Sequence, residues 1–179
     1  MVRYEDVIRK FPHCPYHVNT SLDFLFTQLG HWGEKPLTME LNPDFQRGHV
    51  WTEKQQIAFV EFLLKDPQDS KAKSIIFNCR NWTAEYKEKN ADVVYLVDGL
   101  QRLTAIRRFM NNEIPVNGYY LNEFESSTFL KRIYLDIYVN SLNRAEMLKW
   151  YVDLNSGGTV HSEEEIARVR ELAEKELLG

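Results

Sequence analysis

The sequence predicts a mixed domain, α/β or α+β, built on one small mixed sheet, because short strand-like runs are interspersed with helix-like periodic segments. The clearest helix face has apolar residues at i, i+3, i+4 and i+7: Leu22, Leu25, Phe26 and Leu29. Residues 93–97 form a continuous apolar run, which is typical of a strand covered on both faces. We expect four short strands, so the helices must supply much of the core.

The elements are predicted in chain order from periodicity and from capping signals. Strands are expected at 37–41, 74–77, 93–97 and 133–139, and the polar segment 78–92 is expected to be a surface loop. Helices are expected over 21–29, with Thr20 as N-cap, and directly after residues 98–99. Three more helices are expected where a polar pair marks the start: Thr52 with Gln55, Asn143 with Glu146, and Ser162 with Glu165, the last of these helices reaching Leu178. Each of these polar pairs has the spacing of a capping box.

The composition predicts one domain over residues 1–179 and excludes several classes of protein. Hydrophobic residues make up 44% of the chain and aromatic residues 13%, which is too many for a disordered protein. No apolar run is long enough to span a bilayer, and residues 1–10 are too polar for a signal peptide. With two cysteines, the chain is expected to be cytoplasmic with no membrane partner. A net charge of −4 argues against nonspecific coating of nucleic acid.

The sharpest local feature is the junction at 97–103, where an apolar strand meets a glycine turn and then a helix. Such a turn directs free backbone N–H groups at one point and attracts phosphate. Arg102 could add a bidentate phosphate contact, Asp98 could hold Mg²⁺ or orient a water, and Gln101 could position a nucleophile. A structural alternative is a capping box in which Asp98 and Gln101 stabilise the helix without any ligand.

Two further segments are rich in polar groups. The segment 42–51 carries Asp44, Gln46, Arg47 and His49 after a predicted strand, which is more than a plain turn needs. The segment 155–159 (NSGGT) follows a helix, and its glycines either end that helix or let the backbone approach a ligand. The alternative for the first segment is a solvated turn anchored by Phe45 and Trp51.

Other candidates are weaker. The five histidines and two cysteines lack the spacing of a zinc site, so none is predicted. Cys79 has no base nearby in sequence and is expected to be inert. Glu163–Glu165 is expected to be a solvated first helical turn. Arg107 and Arg108 extend a basic strip after Arg102, which suggests a phosphate or DNA contact but is common on exposed helices.

Taken together in this order and spacing, three segments resemble the N-terminal domain of GmrSD-type modification-dependent restriction proteins, a branch of the ParB-like superfamily. They are Pro43-Asp44-Phe45-Gln46-Arg47-Gly48-His49-Val50-Trp51, then Asp98-Gly99-Leu100-Gln101-Arg102-Leu103-Thr104, then Asn155-Ser156-Gly157-Gly158-Thr159. The resemblance extends over about 37–165, the motif-bearing core, with a helical N-terminal segment and a C-terminal helix packed on it. It implies an α+β, ParB/sulfiredoxin-like fold.

The resemblance also implies a nucleotide pocket that hydrolyses an NTP with Mg²⁺ and that acts on DNA or is regulated by it. The catalytic set would be Asp98, Gln101 and Arg102. Other residues would bind the nucleotide and its phosphates: Gln46, Arg47, Gly99, Asn155, Gly157, Gly158 and Thr159. DNA would meet Arg107 and Arg108, Mg²⁺ would lie between Asp98 and Asp44, and a separate nuclease or regulatory protein is a further expected partner.

Two departures from the family pattern keep other functions open. Leu100 stands where the family has the first glutamine of its pair, and a leucine cannot orient a water. The sequence also ends at Gly179, without the HNH-type nuclease domain of larger relatives. One alternative is therefore a non-catalytic module that binds DNA or a protein. Another is metal-dependent nicking of DNA by Asp98 and Asp44.

Overall fold

The computed structural model describes residues 14–31, 38–46, 48, 50–66, 70–82, 93–156 and 163–178. Its strands are β1 (Tyr16–Ser21), β2 (Thr38–Glu40), β3 (Ser74–Asn78), β4 (Val93–Asp98) and β5 (Tyr134–Asn140). Its α-helices are α1 (Leu22–His31), α2 (Glu53–Leu64), α3 (Ser70–Lys73), α4 (Leu100–Met110), α5 (Arg144–Ser156) and α6 (Glu163–Leu178). Two short 3₁₀ helices, Leu121–Glu123 and Thr128–Arg132, precede β5.

The strands form one mixed sheet in the order β1-β5-β3-β4-β2. The β1–β5 and β3–β4 pairs are antiparallel, whereas β5–β3 and β4–β2 are parallel. Helices lie on both faces of this sheet, so the predicted α+β class with a small mixed sheet is confirmed.

The expectation of four strands is wrong, because the described residues contain five. The additional strand is β1, which pairs with β5 along its whole length from Tyr16↔Val139 to Ser21↔Tyr134. Tyr16, Val18 and Thr20 alternate with polar residues and line one surface, but Thr20 alone among the six residues of β1 is buried, so the alternation is a weak strand signal. Backbone pairing to β5, a contact distant in sequence, determines its conformation.

The sheet separates two apolar clusters. On one face Val94 and Leu96 pack with α1, α2 and α4, and on the other face Val97 packs with α5 and α6. The continuous apolar run at 93–97 is therefore covered on both faces, as predicted. The predicted surface loop at 78–92 is wrong at its start, since Asn78 belongs to β3 and both Asn78 and Cys79 are buried, and residues 83–92 lie outside the described residues.

Capping signals determine where two of the helices begin. Thr52 and Gln55 form the predicted capping box at the start of α2. Asn143 and Glu146 bond reciprocally at the start of α5, with N–O distances of 2.9 and 3.1 Å. For α1 the prediction is off by one residue: Thr20 lies in β1, and the Ser21 hydroxyl accepts the N–H of Phe24 instead.

Sheet topology explains where a site forms. Because β2 runs parallel to β4, the loop after β2 leaves the sheet at the edge where β4 ends. The loop therefore meets the turn between β4 and α4. Helix α5 follows β5, which runs opposite to β4, and crosses the second face so that its C-terminal end reaches the same edge. The predicted start of the last helix at Ser162 lies outside the described residues.

Candidate functional site

A pocket of about 220 Å³ lies where β4 ends and α4 begins. We call it the motif pocket and define it by its lining: Gln46, Trp51, Val97, Asp98, Gly99, Leu100, Gln101, Arg102, Tyr151 and Asn155. These residues come from the loop after β2, the β4–α4 turn and the end of α5. Each of the three sequence motifs therefore contributes at least one described residue to the pocket.

Gly99 permits the turn from which α4 starts. Its φ is +105°, a left-handed conformation that side chains rarely adopt. A Cβ built on Gly99 would lie 2.6 Å from Cδ1 of Ile75 in β3, so the turn packs directly against the neighbouring strand. Since glycine has no side chain to cap the helix, the first N–H groups of α4 are left for other partners.

The alternative of a capping box at Asp98 and Gln101 is wrong. Asp98 is the last residue of β4, Gly99 occupies the N-cap position, and no side chain caps α4. The Asp98 carboxylate instead accepts a hydrogen bond from Arg102, with 2.7 Å between Oδ2 and Nη2. Both residues line the pocket, with the Asp98 side chain 47% exposed and that of Arg102 17%.

Gln101 binds the loop after β2 rather than its own helix end. Its Oε1 accepts the N–H groups of Val50 and Trp51, both at 3.0 Å. Its Nε2 donates to the carbonyl oxygen of Gly48 at 2.9 Å. Three backbone groups of the loop are thus held by one side chain, which fixes this wall of the pocket. The predicted role of Gln101 in positioning a nucleophile stays a prediction.

Gln46 lies in the loop after β2, and its side chain bonds the backbone of β4. Its Nε2 donates to the carbonyl oxygens of Leu96 and Val97, at 2.8 and 3.0 Å. Because both partners are acceptors, the amide nitrogen must face β4. The backbone N–H of Gln46 donates to the carbonyl of Pro43 at 2.9 Å, which closes the tight turn that the sequence indicates.

The end of α5 supplies the third wall. Asn155 donates from Nδ2 to the carbonyl oxygen of Tyr151, one helical turn earlier, at 2.7 Å. Tyr151 is buried and its ring meets that of Phe45 edge-on at 5.1 Å. Tyr151 was not among the predicted site residues, although its position four residues before Asn155 on a helix was a signal that both could line one pocket.

The other predicted site residues are distributed as follows. Asp44 does not line the motif pocket, and its carboxylate bonds Arg144 at 2.6 Å. The pairing of Asp44 with Asp98 around Mg²⁺ stays a prediction. Five of the residues singled out from the sequence lie outside the described residues: Arg47, His49, Gly157, Gly158 and Thr159.

The two arginines predicted to meet DNA differ in their surroundings. Arg108 donates to Glu53 at 2.8 Å, to Gln56 at 2.8 Å and to Glu113 at 3.3 Å. Its pKa is raised, chiefly by the hydrogen bond to Glu53. Arg108 therefore joins α4 to α2, whereas Arg107 is exposed at the surface.

Metal-ligating side chains do not cluster in the part of the chain that the structure describes: no group of three His, Cys, Asp or Glu residues is positioned for a metal ion. Cys79 is fully buried, and Cys14 is partly buried, which raises the pKa of its thiol. The described helices also include none that is long and apolar enough to cross a bilayer.

The fold and site define an α+β domain with a polar pocket at the end of a central strand, built from three loop and helix-end motifs. Residues 34–143 match the family of the GmrSD restriction endonuclease N-terminal domain, and the chain belongs to this family. Membership associates the domain with restriction systems. No curated protein and no solved structure matches the chain. The family match contains two of the three motifs and ends just before α5, which carries Tyr151 and Asn155.

Proposed function

We propose that the motif pocket binds a nucleoside triphosphate with Mg²⁺, that the domain hydrolyses it, and that this reaction is coupled to DNA. The observation that carries the proposal is the convergence of Gln46, the 98–102 turn and Asn155 on one pocket. These residues are far apart in sequence, and packing alone does not require polar residues from all three segments at one point.

Phosphate would bind at the start of α4. Gly99 brings the backbone close to the pocket, and the N–H groups of the first helical turn carry the positive end of the helix dipole. Arg102 lines the same end and supplies a guanidinium that can bind phosphate in a bidentate manner. An incoming phosphate would compete with Asp98 for Arg102, so we expect the 2.7 Å ion pair to open on binding.

A single carboxylate fits Mg²⁺ in this pocket. Mg²⁺ usually keeps several waters and is held by one or two carboxylates together with substrate phosphates. Asp98 is the one acidic residue among those described in the pocket lining, and its half-exposed carboxylate is accessible. When bound, the ion would neutralise charge on the phosphates. Asp98 would hold it or orient the attacking water.

The DNA part of the proposal relies on local charge. The chain has a net charge of −4, so any DNA contact must be confined to a basic patch. Exposed Arg107 is available for such a contact, whereas Arg108 would first have to leave Glu53 and Glu113. We therefore expect DNA binding to be weak and strongly salt-dependent.

The test is phosphate release from ATP, GTP and CTP, each with Mg²⁺, together with equilibrium binding of the same nucleotides. Asp98→Asn should abolish turnover and Arg102→Gln should weaken binding at least tenfold, by roughly 1.5–3 kcal/mol for a charge-assisted contact. Matched controls are Asp66→Asn and Arg132→Gln, which do not line the pocket. No turnover by the unsubstituted protein, with no effect of either variant on binding, would contradict the proposal.

One observation favours a second function, a non-catalytic regulatory module that binds nucleotide, DNA or a protein. Leu100 lines the pocket where the family has a glutamine, and the side chain of Gln101 is engaged with the loop backbone. Such a module would bind nucleotide without releasing phosphate. The substitution Leu100→Gln should then restore phosphate release, if the missing glutamine amide is the reason that turnover was lost.

A further inference from the structure

Helix α6 and the start of α5 hold the loop that carries Gln46. We propose that Arg168 and Arg144 are positioning residues of the motif pocket, so that docking of α6 determines whether Gln46 stays in place. The link to nucleotide rests on the proposed function, but the positioning itself does not. Neither arginine lines the pocket, and both lie beyond the residues that match the family.

Arg168 contacts the loop backbone directly. Its Nη2 lies 3.4 Å from the carbonyl oxygen of Phe45 and 3.3 Å from that of Gln46. A guanidinium has five donors and no acceptor, so it suits two successive carbonyl groups better than any neutral side chain. The side chain of Arg168 therefore connects α6 to the backbone of Gln46, a residue that lines the motif pocket.

Arg144 forms a second connection between the same elements. It donates to the Asp44 carboxylate at 2.6 Å and to the Glu176 carboxylate at 2.8 Å. One guanidinium thus joins the loop, the start of α5 and the last turns of α6. Partial burial of Arg144 protects these ion pairs from screening more than a fully exposed pair.

Phe45 explains why these contacts matter for Gln46. Its side chain is almost fully buried and packs in the same apolar cluster as Ile166 and Val169 of α6. Gln46 is the next residue, and its amide donates to the carbonyl oxygens of Leu96 and Val97 in β4. The first half of the loop is therefore held between α6 and β4, whereas Gln101 holds its second half at Gly48, Val50 and Trp51. Among the described residues, loss of the α6 contacts would leave the amide bonds of Gln46 as the hydrogen bonds that join this first half to the sheet.

The experiment is hydrogen exchange of the full chain without nucleotide, followed over a peptide spanning residues 41–51. Arg168→Gln should speed exchange there about fivefold, which corresponds to loss of about 1 kcal/mol of local hydrogen bonding, with α4 unchanged. Arg168→Lys keeps a cationic donor and should restore part of the protection. The control is Arg170→Gln, an exposed arginine on the same helix.

A second variant, Asp44→Asn, tests the positioning role if Arg168→Gln destabilises the whole molecule. Asp44→Asn removes the charge that Arg144 holds, and this exposed carboxylate is not needed for the core. It should also speed exchange of residues 41–51 without lowering the melting temperature appreciably. Unchanged exchange of this peptide in both variants would overturn the positioning role.

Nucleotide affinity separates the two proposals. If the unsubstituted protein binds nucleotide, Arg168→Gln should weaken that affinity about fivefold, the equivalent of one hydrogen bond of about 1 kcal/mol. Faster exchange with unchanged affinity would show that the pocket does not depend on the loop, which contradicts the proposal. If the unsubstituted protein binds no nucleotide, the proposed function fails, and the exchange data alone still decide whether the arginines hold the loop.

Discussion

The side-chain amide of Gln101 donates a 2.9 Å hydrogen bond to the carbonyl oxygen of Gly48, although 53 residues separate them in sequence. The oxygen of the same amide accepts the N–H groups of Val50 and Trp51. A residue on the first turn of α4 thus determines the path of the loop after β2. The second glutamine of the family motif consequently has a structural function here, because it holds the loop after β2.

Replacing Gln101→Ala should destabilise the protein by roughly 1–3 kcal/mol, because the backbone groups of three loop residues lose their partner. Urea denaturation followed by circular dichroism measures this change. Gln101→Glu keeps the two acceptor interactions but sets a carboxylate oxygen against the carbonyl oxygen of Gly48, so it should restore only part of the stability lost in the alanine variant. Equal stability of the unsubstituted protein and the alanine variant would show that the loop finds other partners.

The turn at Gly99 should tolerate no side chain. In Gly99→Ala the new Cβ would meet Cδ1 of Ile75 at 2.6 Å and would also have to adopt φ +105°, so we expect a loss of roughly 2–4 kcal/mol. Gly118 is a matched control, because its φ is +84° and nothing lies within 4 Å of its Cβ position. Gly118→Ala should therefore cost only the backbone strain, about 1 kcal/mol.

Thermal and urea unfolding of the two glycine variants separate the cost of backbone strain at positive φ from the cost of steric overlap with Ile75. Adding Ile75→Val to Gly99→Ala removes the Cδ1 atom and should recover part of the stability, while the contacts at 3.4 Å with Cα and Cγ2 remain. If Gly99→Ala and Gly118→Ala were equally destabilised, contact with β3 would not be the reason for glycine at position 99.

Local sequence signals predicted the elements that depend on local chemistry. The capping boxes at Thr52 and Asn143 lie where expected, because each is made by residues three positions apart. The apolar run of β4 is likewise confirmed, since burial on both faces requires only apolar side chains. β1 was missed because its pairing partner, β5, lies more than 110 residues away and its own residues are mostly exposed.

The sequence predicted which residues form the site better than it predicted the contacts that those residues make. Gln46, Asp98 and Asn155 were singled out from motif residues, and the pocket brings them together. The Asp98–Gln101 spacing suggested a capping box, but a left-handed glycine moves the helix start by one residue, so neither side chain caps it. The contacts of Arg168 and Arg144 with the loop depend on how α6 packs, which no local pattern encodes.

The ends of β3 and β5 provide a paired comparison of two buried asparagines. Asn78 donates to the carbonyl of Leu142 at 3.0 Å and accepts its N–H at 2.9 Å, so both ends of its amide bond one residue. Asn140, its partner across the strands, accepts the N–H of Ser141, while its buried Nδ2 has no partner among the described residues. We expect Asn78→Ala to cost roughly 2–4 kcal/mol and Asn140→Ala about 1 kcal/mol.

Chemical denaturation of the two asparagine variants under the same conditions gives this difference directly. Asn140→Ala loses one acceptor but also removes a buried donor that gains nothing in the folded state, which offsets part of the loss. A larger loss for Asn140→Ala than for Asn78→Ala would mean that the Nδ2 group of Asn140 has a stabilising partner.

The two cysteines should differ in reactivity and in its dependence on pH. Burial raises the pKa of the Cys14 thiol, so its labelling by iodoacetamide should still be increasing above pH ~8.5, the ordinary thiol value. Cys79 is fully buried, and Cys14→Ser should therefore abolish labelling of the folded protein.

Because the unfolded chain ionises its thiol at lower pH than the folded one, the contribution of Cys14 to stability is complete below the unfolded pKa and is lost as pH rises through the folded pKa. The stability difference between the unsubstituted protein and Cys14→Ser should accordingly shift against the unsubstituted protein as pH rises from 8 to 10, roughly the range around that value. Rapid labelling of Cys14 at neutral pH would contradict the raised pKa.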